Sequence, residues 1–130
     1  MLNKKIQEAI KVRRNVHMQG NEVRYKFWLE KDGEMLFGTG GAVLLEKIDA
    51  LGSLSGASKE LGMSYRRAWG RLKKLEQSIG EDLVTKVGGN KKGYRLTETG
   101  RRFVSSYREA EKKMDKAAQG ILKSCFGWVR

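Results

Sequence analysis

The chain has 130 residues, 39% of them hydrophobic and 32% charged, with a formal net charge of +12 and a pI near 10.0. A domain of this size buries roughly two thirds of its unfolded surface, and a single cysteine, Cys125, excludes an internal disulfide. No run reaches the roughly 18 apolar residues of a membrane span, so the basic excess points to a polyanionic partner, either nucleic acid or an anionic membrane surface.

That excess is localised. Residues 1–20 hold 5 basic and 1 acidic side chains, 63–80 again 5 and 1, and 101–130 hold 8 and 3, whereas 21–62 hold 5 and 7. The first segment, residues 1–22, is basic and mixed and lacks the continuous apolar core of a signal peptide, so a reducing cytoplasm is expected, with the chain on the nucleoid. Leu2, Ile6 and Ile10 share one helical face there. That helix is expected to pack against a dimer, with a peripheral membrane contact as the alternative.

Residues 23–30 alternate apolar and polar side chains with the period of a half-buried strand. Lys31-Asp32-Gly33 turns the chain, and residues 34–37 return as a second strand. From about residue 41 the period becomes helical: Leu44, Ile48 and Leu51 share a face, and Gly52 stops it. Ser53 caps a short helix that turns Leu54, Ala57 and Leu61 inward before Gly62. Ser64 caps a third helix, over 64–79, where Ala68, Leu72, Leu75 and Ile79 step by 4, 3 and 4 until Gly80. Two helices joined across Gly62-Met63-Ser64 make a helix-turn-helix.

Residues 83–87 and 94–96 bracket Gly88-Gly89-Asn90-Lys91-Lys92-Gly93, a basic hairpin that serves as a wing over 84–96. Thr97 caps a last helical segment, 97–130, with Glu98 placed favourably for the helix dipole. Phe103, Tyr107, Ala110, Met114, Ala117 and Ile121 step by 4, 3, 4, 3 and 4 along it, a heptad seam. The seam is either packed on its own domain or an interface between subunits, and a homodimer is expected.

With Ala68, Leu72, Leu75 and Ile79 inward, Arg66 and Gly70 face the opposite way, flanked by Arg67, Lys73 and Lys74. Arginine pairs bidentately with guanine edges, and the first residues of a second helix are those that reach bases in the major groove. Gly70 costs a mid-helix position about 1 kcal/mol against alanine; it is either a bare patch for the groove floor or a tolerated surface glycine. Tyr65 and Trp69, four apart, flank the apolar stripe, where they can stack on each other, and scaffold packing competes with DNA contact. The expected DNA-contacting set is Ser64, Tyr65, Arg66, Arg67, Gly70, Arg71, Lys73 and Lys74 on the recognition helix, with Asn90, Lys91, Lys92 and Arg95 on the wing.

The runs Trp28-Leu29-Glu30-Lys31-Asp32-Gly33-Glu34, Phe37-Gly38-Thr39-Gly40 and Leu44 to Asp49, together with Gly52-Ser53-Leu54-Ser55, Gly62 to Trp69 and Leu96-Thr97-Glu98-Thr99-Gly100, resemble the DNA-binding domain of ModE-type molybdate-responsive regulators, relatives of LysR-type winged helices. The resemblance covers about residues 23–110. It implies an α+β, mainly helical fold: an N-terminal β-hairpin, a winged helix-turn-helix domain over 23–96 and a long C-terminal dimerisation helix that pairs two copies on operator DNA. The wing reads GGNKKG where the family commonly has a longer glycine-rich run, which implies more electrostatic wing contacts. Full-length members continue into a molybdate-binding domain, whereas this sequence ends at Arg130, so no molybdate binding is expected.

An enzyme is the rival from another class. His17 and Cys125 are single and lie in opposite terminal segments, without metal-ligand spacing. Gly38-Thr39-Gly40-Gly41 departs from the dinucleotide pattern at Val43, and GGNKKGY lacks the Lys-Ser/Thr of a phosphate loop. No catalysis, cofactor or metal is expected. A closer rival is a structural nucleic-acid-binding protein with little sequence preference; arginines placed at a helix start favour sequence reading over coating.

Overall fold

The computed structural model describes residues 14–18, 20–88 and 93–130. Strands β1 (Arg14–Met18) and β2 (Asn21–Tyr25) form an antiparallel hairpin with Val16 opposite Val23. This corrects the helix expected through residue 22. Asn15 and His17 face solvent while Val16 is buried and Met18 half-buried, a period of two that suits a strand. Leu2, Ile6 and Ile10 lie outside the described residues.

Strands β3 (Leu29–Lys31) and β4 (Glu34–Phe37) form a second hairpin, turning at Asp32-Gly33. Residues 23–30 are therefore not one strand. Between β2 and β3 Phe27 turns inward to stack on Tyr107, with ring centroids 4.8 Å apart.

Helices α1 (Thr39–Leu51), α2 (Leu54–Glu60) and α3 (Tyr65–Ile79) follow, then the wing strands β5 (Val84–Val87) and β6 (Gly93–Leu96) and the long helix α4 (Glu98–Phe126). The fold is α+β, mainly helical, a winged helix-turn-helix whose strands pair only as two-stranded hairpins among the described residues. Phe37, Leu45, Ile48, Leu54, Leu61 and Leu83 are the largest fully buried side chains. Each contributes about 1.5–3 kcal/mol by leaving water. Helix α1 buries Leu45 in place of Leu51, which is 45% exposed at its last position.

The helix starts follow their caps. Ser53 accepts from Gly56 N at 2.9 Å, Ser64 from Arg67 N at 3.1 Å and Thr97 from Gly100 N at 3.1 Å, each answering an amide that the first turn leaves unpaired. Between α2 and α3, Gly62 has φ +67°, a left-handed conformation that side chains resist. Gly100 serves close approach: a Cβ there would sit 2.2 Å from the Leu83 carbonyl oxygen.

Helix α4 does two jobs along its length. Its N-terminal half closes the main core through Tyr107, and its C-terminal half carries the β1–β2 hairpin on Ala118 and Leu122, which pack with Val16. Arg108 ties it to α1, donating to Glu46 at 2.5 and 3.2 Å and to the buried Glu111 at 2.7 Å. The Glu46 hydrogen bond, aided by Glu111, holds the guanidinium above its ordinary pKa against the desolvation that opposes it.

Candidate nucleic-acid interface

Ala68 and Leu72 of α3 are buried, with Leu75 and Ile79 half-buried against the same core. That rotation turns Arg66, Arg67, Gly70 and Lys74 to solvent. A Cβ at Gly70 would meet nothing within 4 Å, so the helix backbone is bare there. Ser64 is exposed and its hydroxyl oxygen is engaged by the cap to Arg67 N. The outcome is a basic helix start in which the Arg67 amide is capped and both Arg66 and Arg67 are exposed.

The flanks of α3 differ. On one side Arg71 and Lys74 border a cleft with Glu34, Gly38, Gly40 and Ser78. On the other, Lys73 donates to Glu76 at 3.2 Å and sits 5.7 Å from the Trp69 ring centroid, drawn toward its own helix. Trp69 is thus covered by Lys73, and no ring pair with Tyr65 is formed. Tyr65 and Trp69 remain about half exposed.

The wing is fixed to the helices by side chains that periodicity does not reveal. Glu76, only 7% exposed, accepts from Leu83 N at 2.8 Å and Val84 N at 3.4 Å, hanging β5 from α3. Asp49 accepts from Leu96 N at 3.2 Å, and the Gly52 carbonyl accepts from Tyr94 N at 2.8 Å, hanging β6 from the end of α1. Arg95 is exposed on β6 opposite Thr85. Asn90, Lys91 and Lys92 lie outside the described residues.

The seam expected on α4 divides. Tyr107 belongs to its own core, donating to the Phe27 carbonyl at 2.9 Å and bonding Thr39 Oγ1 at 2.8 Å, because its ring fills the space between Phe27 and Phe37. Phe103 and Ala110 are half-buried, whereas Met114, Ala117 and Ile121 are exposed. His17 lies beside Glu22 at 3.2 Å, and Cys125 is exposed next to Ser124. Among the described residues no group of three or more His, Cys, Asp or Glu is placed to hold a metal, and no helix is long and apolar enough to cross a membrane.

A capped helix presenting arginines, joined through a tight turn to a supporting helix and followed by a basic hairpin, defines a winged helix-turn-helix DNA-binding domain. Residues 42–101 match the bacterial regulatory helix-turn-helix protein, lysR family. Residues 42–101 thus form a LysR-type helix-turn-helix domain. The chain is 39% identical over 70 residues to the molybdenum transport protein ModE of Azotobacter vinelandii, a match over 52% of this chain and 26% of that protein. With the molybdenum-pterin-binding protein MopB of Rhodobacter capsulatus it shares 31% identity over 98 residues, 74% of this chain and 36% of the relative. Among solved structures, ArgP from Mycobacterium tuberculosis superposes with a TM-score of 0.47 at 25% identity, over 59% of this chain and 28% of that one. The chain therefore spans about a quarter to a third of the length of the curated relatives it matches.

Proposed function

We propose that the chain is a sequence-specific, double-stranded DNA-binding transcription regulator that acts as a homodimer in the cytoplasm, on the nucleoid, with no enzymatic activity and no cofactor. Helix α3 enters the major groove, where Arg66 and Arg67 read base edges beside the bare backbone of Gly70. Ser64, Tyr65, Arg71, Lys73 and Lys74 border that contact. The wing meets the backbone through Arg95 and the tip residues Asn90, Lys91 and Lys92. The matches cover only 26% and 36% of the relatives' lengths, so the molybdenum in their names is not transferred, and these 130 residues are proposed not to bind molybdate.

The observation that supports this reading is the outward face of Arg66 and Gly70 directly after a satisfied helix cap. Selection from a random duplex library, followed by titration of Arg66→Ala on selected and random DNA, tests it. The variant is expected to lose about 1–3 kcal/mol on the selected site and little on random DNA. Equal losses on both, or no enriched site, would favour a coating protein. The homodimer is tested by Met114→Lys, which places a charge in the exposed part of the seam; a variant still dimeric at micromolar concentration in sedimentation overturns that interface.

A further inference from the structure

Between the β2–β3 link and the first turns of α4 lies a cleft of about 570 Å³, inside the roughly 300–1,000 Å³ range of small-molecule sites. Phe27, Trp28 and Leu29 form one wall, and Phe103 and Ala110 the other. The aromatic lining is held in place by the protein itself. Phe27 stacks on Tyr107 with ring centroids 4.8 Å apart, and Phe103 lies 5.2 Å from Phe37. Trp28 Nε1 donates to Glu30 Oε2 at 2.7 Å, while Lys26 Nζ sits 5.9 Å from the indole centroid. A planar apolar group entering the cleft therefore meets a wall that has little rotamer freedom left to lose.

The polar groups of the cleft gather at one end. Thr97 Oγ1 donates to the Asp82 carbonyl at 2.8 Å, and Gly100 approaches the Leu83 carbonyl too closely to admit a Cβ, so the segment carrying Glu81 is held against the first turn of α4. Glu81 thus lines the cleft together with Thr99 and Arg102. Ala110 lies 8 residues on from Arg102, about 12 Å further along the helix at 1.5 Å per residue. Glu81 and Arg102 carry opposite charges on one cleft, yet among the described residues neither side chain is hydrogen-bonded or ion-paired to the other or to anything else. The hydroxyls of Thr99 and Ser106, also on the cleft, are equally without a partner there.

Fixed aromatic walls beside one unpaired cation and one unpaired anion complement a molecule that is apolar at one end and doubly charged at the other. An aromatic acid would satisfy Arg102 but set its carboxylate beside Glu81, and an aromatic amine would satisfy Glu81 but set its ammonium beside Arg102. We infer that the cleft binds a free aromatic α-amino acid, with its carboxylate on Arg102, its ammonium on Glu81 and the Thr99 hydroxyl, and its ring between Trp28 and Phe103. Glu81 directly follows Gly80, which closes α3, and stands two residues before Leu83, whose amide Glu76 holds. A ligand joining Glu81 to Arg102 therefore clamps the joint between recognition helix and wing onto α4. Binding stands on the cleft alone. Its consequence rests on the function proposed above, where the amino acid becomes an effector that strengthens operator binding.

Calorimetry on the intact chain tests the site, with L-phenylalanine, phenylacetate and phenethylamine as probes. L-phenylalanine is expected to bind saturably with a Kd on the order of 0.1 mM. Each singly charged analogue should bind at least about ten-fold more weakly, because it forfeits one charge-assisted bond and sets its remaining charge near a like one. Arg102→Gln and Glu81→Gln, both at exposed positions, should each weaken L-phenylalanine about ten-fold. Ser106→Trp, which fills the cleft, should abolish binding while circular dichroism reports an intact fold. No heat with L-phenylalanine, or binding unchanged in both glutamine variants, refutes the site. Phenylacetate bound as tightly as L-phenylalanine refutes the zwitterion. No heat with any probe, joined to a weaker dimer in Trp28→Ala, gives the cleft to a second copy and overturns the proposal. In anisotropy titrations, saturating L-phenylalanine should raise affinity for the selected duplex about five-fold. An unchanged affinity with calorimetric binding intact refutes the clamp, whereas failure to select any duplex refutes the function proposed above and leaves the calorimetric result standing.

Discussion

Replacing Glu76 with alanine removes the carboxylate that accepts from Leu83 N at 2.8 Å and Val84 N at 3.4 Å. The Leu83 bond is buried, and a buried amide left without an acceptor costs about 1–3 kcal/mol, more when the lost acceptor was charged. The Val84 bond lies at the long end of useful geometry and adds little. The Lys73 pair, with the lysine half exposed, adds about 0–0.5 kcal/mol. The expected loss is therefore about 2–3 kcal/mol, or roughly 6–12 °C in Tm for a domain of this size. Glu76→Gln keeps an acceptor oxygen and should lose about half as much. Because the bond hangs the wing from the recognition helix, the alanine variant should also weaken binding to selected and random DNA alike, as expected for displaced backbone contacts. Urea unfolding followed by circular dichroism gives the stability change and anisotropy titrations give the binding. An alanine variant within about 0.5 kcal/mol of the parent, or indistinguishable from the glutamine variant, would refute the reasoning.

Two glycines should respond oppositely to alanine. Gly100→Ala drives a Cβ into the Leu83 carbonyl and should cost about 3 kcal/mol in urea unfolding, whereas Gly70→Ala meets nothing and should stabilise by up to about 1 kcal/mol while lowering affinity for the selected site. Arg108→Met takes the guanidinium from Glu111, which is 4% exposed, and should cost about 1–3 kcal/mol; a double-mutant cycle with Glu46→Gln should show coupling between α1 and α4. Lys92→Ala should weaken selected and random DNA about equally and lower the salt slope by about one per subunit, so a loss confined to the selected site would remove the wing from the backbone.

Much of the fold was legible because its punctuation is local. Ser53, Ser64 and Thr97 cap helices through bonds spanning three residues, and the glycine stops act within one turn, so the sequence carries both the signal and its cause. The misread segment is instructive. Alternation in the sequence from Val23 to Glu30 runs on through residues 26–28, which belong to no strand, and residues 29–31 of β3 are all exposed. Period alone cannot reveal that Phe27 leaves the strand to meet Tyr107, 80 residues away. Likewise, the inward face of α4 includes Gly100 and Glu111, residues that a count of apolar side chains passes over, while Tyr107 fits the heptad yet belongs to the core.

The recognition helix shows where sequence reasoning on the site reaches its limit. Arg66 and Gly70 were found by rotating away from the apolar stripe, an inference that needs only helical geometry. Glu76 was missed, although it lies on that stripe, four residues from Leu72 and three from Ile79. A carboxylate on a buried face requires donors; the helix supplies only the half-exposed Lys73, so the other partners had to come from the segment folding back against it. Those partners are the first amides of the wing, 7 and 8 residues on. A charged residue interrupting a buried stripe therefore marked the attachment point of the wing, the element on which the proposed backbone grip depends.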